Sequence, residues 1–136
     1  MANLQTTYLG LSLKNPIIVS SSGITSNVET IKKLEAYGAA AVVLKSLFEE
    51  QILHEIGSLS VHSDYPEAED YLKSYVTSNN VEKYLELISE AKEAVDIPVI
   101  ASINCISASK WIDFAAKIQE AGADALEVNV FVLPID

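Results

Sequence analysis

The chain has 136 residues and a formal net charge of −10, with 9 basic residues, all Lys, against 19 acidic ones. With 49% hydrophobic and 21% charged residues, it has the balance and length of one globular domain with one core. The acidity and the lack of Arg argue against nucleic-acid backbones, anionic membrane surfaces and a bidentate anion clamp, and the single Cys105 excludes a disulfide framework or a Cys-based zinc site.

Met1 is followed by neither a basic nor an apolar leader region, and the longest apolar run, Ala39 to Leu44, is far below the ~20 residues of a membrane helix. A soluble, cytoplasmic protein without membrane contact is expected. Residues 6–14 read as two short strands around Gly10, and Pro16 to Ser20 as a short buried strand. Ser26 and Glu29 have the spacing of a capping box. Val28, Ile31, Leu34 and Tyr37 follow at helical spacing, with Gly38 at the C′ position. Ala41 to Leu44 is a second buried strand, ending at Lys45-Ser46.

A long connection covers 48–80. Within it Phe48, Ile52 and Ile56, then Ala68, Leu72, Tyr75 and Val76, have helical spacing. A helix over about 81–95 carries Val81, Leu85, Ile88 and Val95 on one face, and Pro98 stops it. Val99 to Asn104 is a third strand. Ser109 is placed to cap a helix that buries Trp111, Ala115, Ile118 and Ala121 and ends at Gly122. Ala125 to Val130 is the fourth strand. Two stretches echo each other: Gly38 to Lys45 and Gly122 to Asn129 have equal length, as do Pro16 to Ser22 and Pro98 to Asn104. This is either one βαβα unit used twice or the common punctuation of α/β chains.

Alternating strands and helices predict a parallel sheet with crossover helices. An open doubly wound sheet would carry a Gly-rich first turn; Ser20-Ser21-Ser22-Gly23 is not one. Every strand instead ends in a polar residue, Ser22, Lys45, Asn104 or Asn129, as in a (β/α)8 TIM barrel. A barrel takes about 250 residues, so the chain reads as the N-terminal half of one: four parallel strands with crossover helices, preceded by a small β-hairpin. The domain expectation is one half-barrel over 1–136, with the hairpin over 1–15 and an active-face insertion over 48–80, either a lid or a subunit contact.

Strand parity places candidate residues. Lys45, Val43 and Ala41 share one face, as do Asn129, Glu127 and Ala125, so Lys45 and Asn129 should meet at one cavity mouth with Glu127 a layer deeper. Ser20 and Ser22 correspond in role to Ser102 and Asn104. Lys45 either snorkels into solvent or is an inward cation near Glu127 that stabilises a negative ligand. Asn129 is a satisfied core amide or a ligand contact. Cys105 is off the inward parity and reads as a small buried hydrophobe. Glu50 and His54, four apart, are a weak metal signal, and His62 lies in the same connection; no metal is expected.

Asn15-Pro16-Ile17-Ile18 leading to Ser21-Ser22-Gly23, then Gly38 to Ser46, then Ala123-Asp124-Ala125-Leu126-Glu127-Val128-Asn129, together resemble the dihydroorotate dehydrogenase family. The resemblance spans the chain except 48–80, and only the N-terminal half of that family's domain. It implies a (β/α)8 barrel carrying FMN at the C-terminal strand ends, oxidising or reducing a C–C bond next to a carbonyl, in pyrimidine biosynthesis. By resemblance Lys45 is catalytic and, with Asn129, reaches both flavin and substrate. Ser22, Gly23 and Ser46 line the flavin, as does Ser102 or Asn104. The family's Asn-x-Ser-(Cys or Ser)-Pro-Asn loop is replaced by Asn129 to Pro134, with Val132 at the expected base position, so the branch is divergent. Expected partners are a small-molecule substrate and either a second copy, giving a dimer, or the missing C-terminal half-barrel. The chain alone is expected to bind FMN weakly or not at all and not to turn over. Two rival readings are a Schiff-base aldolase-type barrel using Lys45 as nucleophile and a non-enzymatic half-barrel assembly module.

Overall fold

A computed structural model describes residues 2–52, 54, 66–105 and 108–130, with backbone alone for 66–70, 72–73 and 108–110. The chain opens with a hairpin of β1 (Thr6–Tyr8) and β2 (Leu11–Leu13), antiparallel, Thr6 opposite Leu13. Its two-residue turn puts Leu9 at φ 51° and Gly10 at φ 77°, the left-handed pair that matches strand twist. Then follow β3 (Ile18–Val19), α1 (Val28–Ala36), β4 (Ala41–Val43), β5 (Leu47–Phe48), α2 (Pro66–Ala94), β6 (Val99–Asn104), α3 (Ala108–Glu120) and β7 (Ala125–Val128).

All pairings among β3 to β7 are parallel. Both β4 and β5 pair with β6, which pairs with β7; β4 and β5 are thus two pieces of one strand position. The sheet therefore reads β3, β4/β5, β6, β7 in strict sequence order. A doubly wound sheet reverses order at a switch point; this one never does. Four consecutive parallel strands with helices on one side are the N-terminal half of a (β/α)8 barrel.

The inward parity holds. Ala41, Val43 and Ile100, with Ile18 and Ala125, form one apolar cluster that Leu11 and Leu13 of the hairpin pack against. The opposite parity, Val42, Leu44, Val99, Ala101 and Ile103, faces the helices and meets Ile31, Ile88, Phe114 and Ile118. Ile31, Ile88 and Ile103 are wholly buried, each contributing roughly 1.5–3 kcal/mol. Cys105 belongs to this helix-side cluster.

The two halves of the sequence echo share a helix ending. Gly38 (φ 103°) and Gly122 (φ 94°) both take the left-handed conformation. Ala39 N–H donates to the Leu34 carbonyl at 3.0 Å, and Ala123 N–H to that of Ile118 at 3.3 Å. This is the same Schellman closure at equivalent positions.

Four local expectations are corrected. The N-cap of α1 is Asn27, whose Oδ1 accepts from Thr30 N–H at 2.9 Å. Ser26 Oγ instead donates to the Gly23 carbonyl at 2.7 Å, because a 3-10 turn over Gly23–Thr25 occupies the residues before it. Tyr37 is 88% exposed, since it is the residue where α1 unwinds. Instead of a separate helix over 81–95, α2 runs unbroken from Pro66 to Ala94, because no Gly or Pro interrupts 67–94. And α3 already begins at Ala108, so Ser109 lies within its first turn.

Candidate functional site

At its upper end the β4/β5 position breaks and re-forms. Val43 pairs with Ile100 and Leu47 with Ile103, so four steps on one strand meet three on the other. This is a one-residue bulge, the device that re-aims side chains beside active sites. Leu44 N–H still donates to the Ile100 carbonyl at 2.8 Å, but Lys45 N–H turns away to the Thr25 carbonyl at 3.3 Å. Ser46 N–H goes to Ser21 Oγ at 2.9 Å. With strict alternation Lys45 and Ser46 would point to opposite faces; the bulge lets both line one cleft.

The bulge leaves Ser102 without a strand partner on that side, and Tyr84 of α2 supplies one. Its hydroxyl donates to the Ser102 carbonyl at 2.9 Å and accepts from Ser102 N–H at 2.8 Å. Buried backbone groups need such partners. Burial pushes the Tyr84 hydroxyl up to about 12, the hydrogen bond with Ser102 pulling the other way and the nearby Glu127 charge adding to the rise. Nothing in the sequence singles out Tyr84 for this; its helical spacing reads as core.

The cleft, about 560 Å³, opens at the C-terminal strand ends and is lined by Ser20, Ser21, Ser22, Gly23, Lys45, Ser46, Phe48, Asn104, Glu127 and Asn129. Below it, Ser102 is wholly buried. Ser46 and Ser102 hydroxyls lie 2.6 Å apart, Ser102 Oγ donates to Glu127 Oε1 at 2.7 Å, and Asn129 Nδ2 donates to Ser102 Oγ at 2.9 Å. Asn104 Nδ2 holds the Asn129 carbonyl at 3.1 Å.

Of the residues singled out from sequence, Ser22, Gly23, Lys45, Ser46, Asn104 and Asn129 are brought together around one opening. Ser102 is not at the surface of the cleft; it reaches a ligand only through Ser46 and Asn129. Glu127 does not pair with Lys45, its carboxylate being turned to Ser102. Among the described residues the Lys45 amine has no ion-pair or hydrogen-bond partner, and the residue is exposed. Ser21 and Phe48 join the site; the Ser21-Ser22-Gly23 stretch was visible in the sequence, whereas Phe48 comes in only through β5 pairing. His62 and residues 131–136, Val132 among them, lie outside the described residues. Among those described, no helix is long and apolar enough to cross a membrane, and no cluster of three or more His, Cys, Asp or Glu could hold a metal.

A half-barrel with a polar cleft at the C-terminal strand ends is the framework of a barrel enzyme. No family model matches the sequence, but curated proteins do. Dihydroorotate dehydrogenase B (NAD(+)), catalytic subunit, from Thermoplasma volcanium is 34% identical over 96% of this chain, and the match takes in 42% of that protein. The same subunit from Thermoplasma acidophilum is 32% identical over 96% of the chain and 42% of its own length. The Escherichia coli NAD-dependent dihydropyrimidine dehydrogenase subunit PreA is 25% identical over 93% of the chain and 32% of its own length. Over nearly its whole length the chain is thus related to the dihydroorotate dehydrogenase family, and the relatives it matches are named as dehydrogenases. It spans less than half the length of these relatives.

Proposed function

We propose that the chain supplies the first half of an FMN-dependent oxidoreductase barrel acting on a C–C bond next to a carbonyl. The carrying observation is Lys45: an amine at the rim of a cleft lined mainly by neutral polar groups, with no partner of its own among the described residues. Such a cation is free to meet negative charge on a bound group. The lining fits a flavin chemically: small residues Ser22 and Gly23 on one side leave room for a flat ring, Ser46, Asn104 and Asn129 bring hydrogen-bonding groups to the opening, and Phe48 supplies apolar area. When bound, FMN supplies the hydride-accepting chemistry. The chain's own residues bind and orient: Lys45 stabilises negative charge, Asn129 and Asn104 fix position, and Ser21-Ser22-Gly23 limits the cleft.

The rest of the barrel, whether a second copy or a distinct C-terminal half, is the partner proposed here, consistent with relatives named as subunits. The substrate is a small molecule that carries the carbonyl and the adjacent C–C bond. Schiff-base chemistry gains no support, since Lys45 is exposed rather than desolvated as amine nucleophiles are.

Titration of FMN, followed by flavin fluorescence, tests the reading. The chain alone is expected to bind weakly. Mixed with the C-terminal half of a relative it should give a yellow complex, and Lys45→Ala should weaken FMN binding about tenfold, the loss of one charge-assisted contact. Full flavin retention in the Lys45→Ala complex would overturn it.

A further inference from the structure

Donor and acceptor bookkeeping at the cleft floor has one solution. A serine hydroxyl has a single proton. That of Ser102 goes to Glu127 Oε1, 2.7 Å away, because a carboxylate only accepts. Ser102 Oγ must therefore accept from its two other neighbours, Ser46 Oγ at 2.6 Å and Asn129 at 2.9 Å. Ser46 has then spent its proton on Ser102, so it accepts from Ser21 Oγ at 3.0 Å. Ser21 can donate there because it accepts from Ser46 N–H. The atom of Asn129 near Ser102 can only be its amide nitrogen, which also approaches Ser46 Oγ at 3.3 Å.

We propose that Glu127 is the positioning residue of the cleft: by taking the Ser102 proton it locks a one-way string, Ser21 to Ser46 to Ser102 to Glu127, and turns Asn129 so that its Oδ1 is kept free to accept an N–H from a ligand. Four consecutive strand positions contribute, Ser21 from just past β3, so the string exists only in the folded sheet. Seen from the cleft, Lys45 donates and Asn129 Oδ1 accepts. The cleft therefore selects a ligand that presents an acceptor or negative atom to Lys45 and an N–H donor to Asn129. The string is read without any ligand; only the purpose of Oδ1 rests on the proposed ligand site.

The test is NMR of the isotopically labelled full chain without ligand, with FMN titration of its complex with a relative's C-terminal half as a separate arm. The Asn129 side-chain amide protons should show contacts to the Ser46 and Ser102 β-protons, and the Ser102 hydroxyl proton should exchange slowly. Glu127→Gln keeps an acceptor for Ser102 and should preserve both signals, with any FMN affinity within about twofold. Glu127→Ala should lose the slow hydroxyl and the fixed amide, and weaken FMN about tenfold, one hydrogen bond's worth. Should Glu127→Ala not fold, Ser102→Ala breaks the string at its middle and should release Ser46 and Asn129 alike. Unchanged Asn129 contacts in Glu127→Ala or Ser102→Ala would overturn the proposal, as would their loss in Glu127→Gln. If the string behaves as expected while the complex with a relative's C-terminal half binds no FMN, the flavin reading fails and this one stands.

Discussion

The two ends of one sheet follow opposite rules. At the N-terminal strand ends the inward side chains are Ile18, Ala41, Val43, Ile100 and Ala125, closed from below by Leu11 and Leu13. The loops there are held by carboxylates on backbone amides: Glu35 Oε1 accepts from Asp96 and Ile97 N–H at 2.8 and 3.1 Å, and Asp124 Oδ2 from Val99 N–H at 2.7 Å. At the C-terminal ends the same parity turns polar, pairing breaks at a bulge, and side chains satisfy one another. Apolar packing is concentrated below and polar side chains above, the division expected of barrel strands. The contrast comes from two layers of residues on the same strands, not from separate elements.

The largest effect is expected at the lower end. Ile100 is 2% exposed, and Ile100→Ala should cost about 2–5 kcal/mol, read as a lower denaturation midpoint with ligand affinity in the folded protein little changed. Next is the seam between the ends. Tyr84→Phe removes the only described partner of the Ser102 backbone groups on the bulge side and should cost about 2–4 kcal/mol. Its proton is held more tightly folded than unfolded, from an ordinary value of 10.0 up to about 12. The stabilisation is therefore complete below pH 10 and lost as pH rises from 10 to 12. Alkaline unfolding curves should show that decline in the wild type, and Tyr84→Phe should flatten it.

A smaller loss is expected at the loop clamp. Asp124 also pairs with Lys92 at 2.8 Å, both partly buried, and Asp124→Ala should cost about 1–3 kcal/mol, chiefly by stranding Val99 N–H; Asp124→Asn, which keeps an acceptor, should restore part of it. The smallest stability effect belongs to Lys45→Ala, within about 0.5 kcal/mol in thermal denaturation, since nothing among the described residues holds its amine. A large loss there would mean that Lys45 is structural and that the division between the two ends is wrong.

Much of this was legible from the residues. Hydrophobic runs and Gly punctuation located the strands, and period-two counting put Lys45 and Asn129 on one face with Glu127 beneath. Those signals are local, set by backbone period and side-chain size, so a single sequence carries them. The capping residue of α1 is not legible locally because Ser26 and Asn27 are both good caps, and the choice between them rests on the 3-10 turn that precedes. The break expected between two helices was absent because apolar spacing marks which face is buried, not where a helix stops.

The order of residues was enough to set the alternation of elements, the inward side chains and the family relationship. The bulge, the reach of Tyr84 into the gap it leaves, the burial of Ser102 and the partner of Glu127 emerge from the assembled sheet. A bulge is a mismatch in register between two strands, and a hydrogen-bond string across four strand positions depends on distances between residues far apart in the chain. Neither has a local pattern, because each comes into being only when the sheet has assembled.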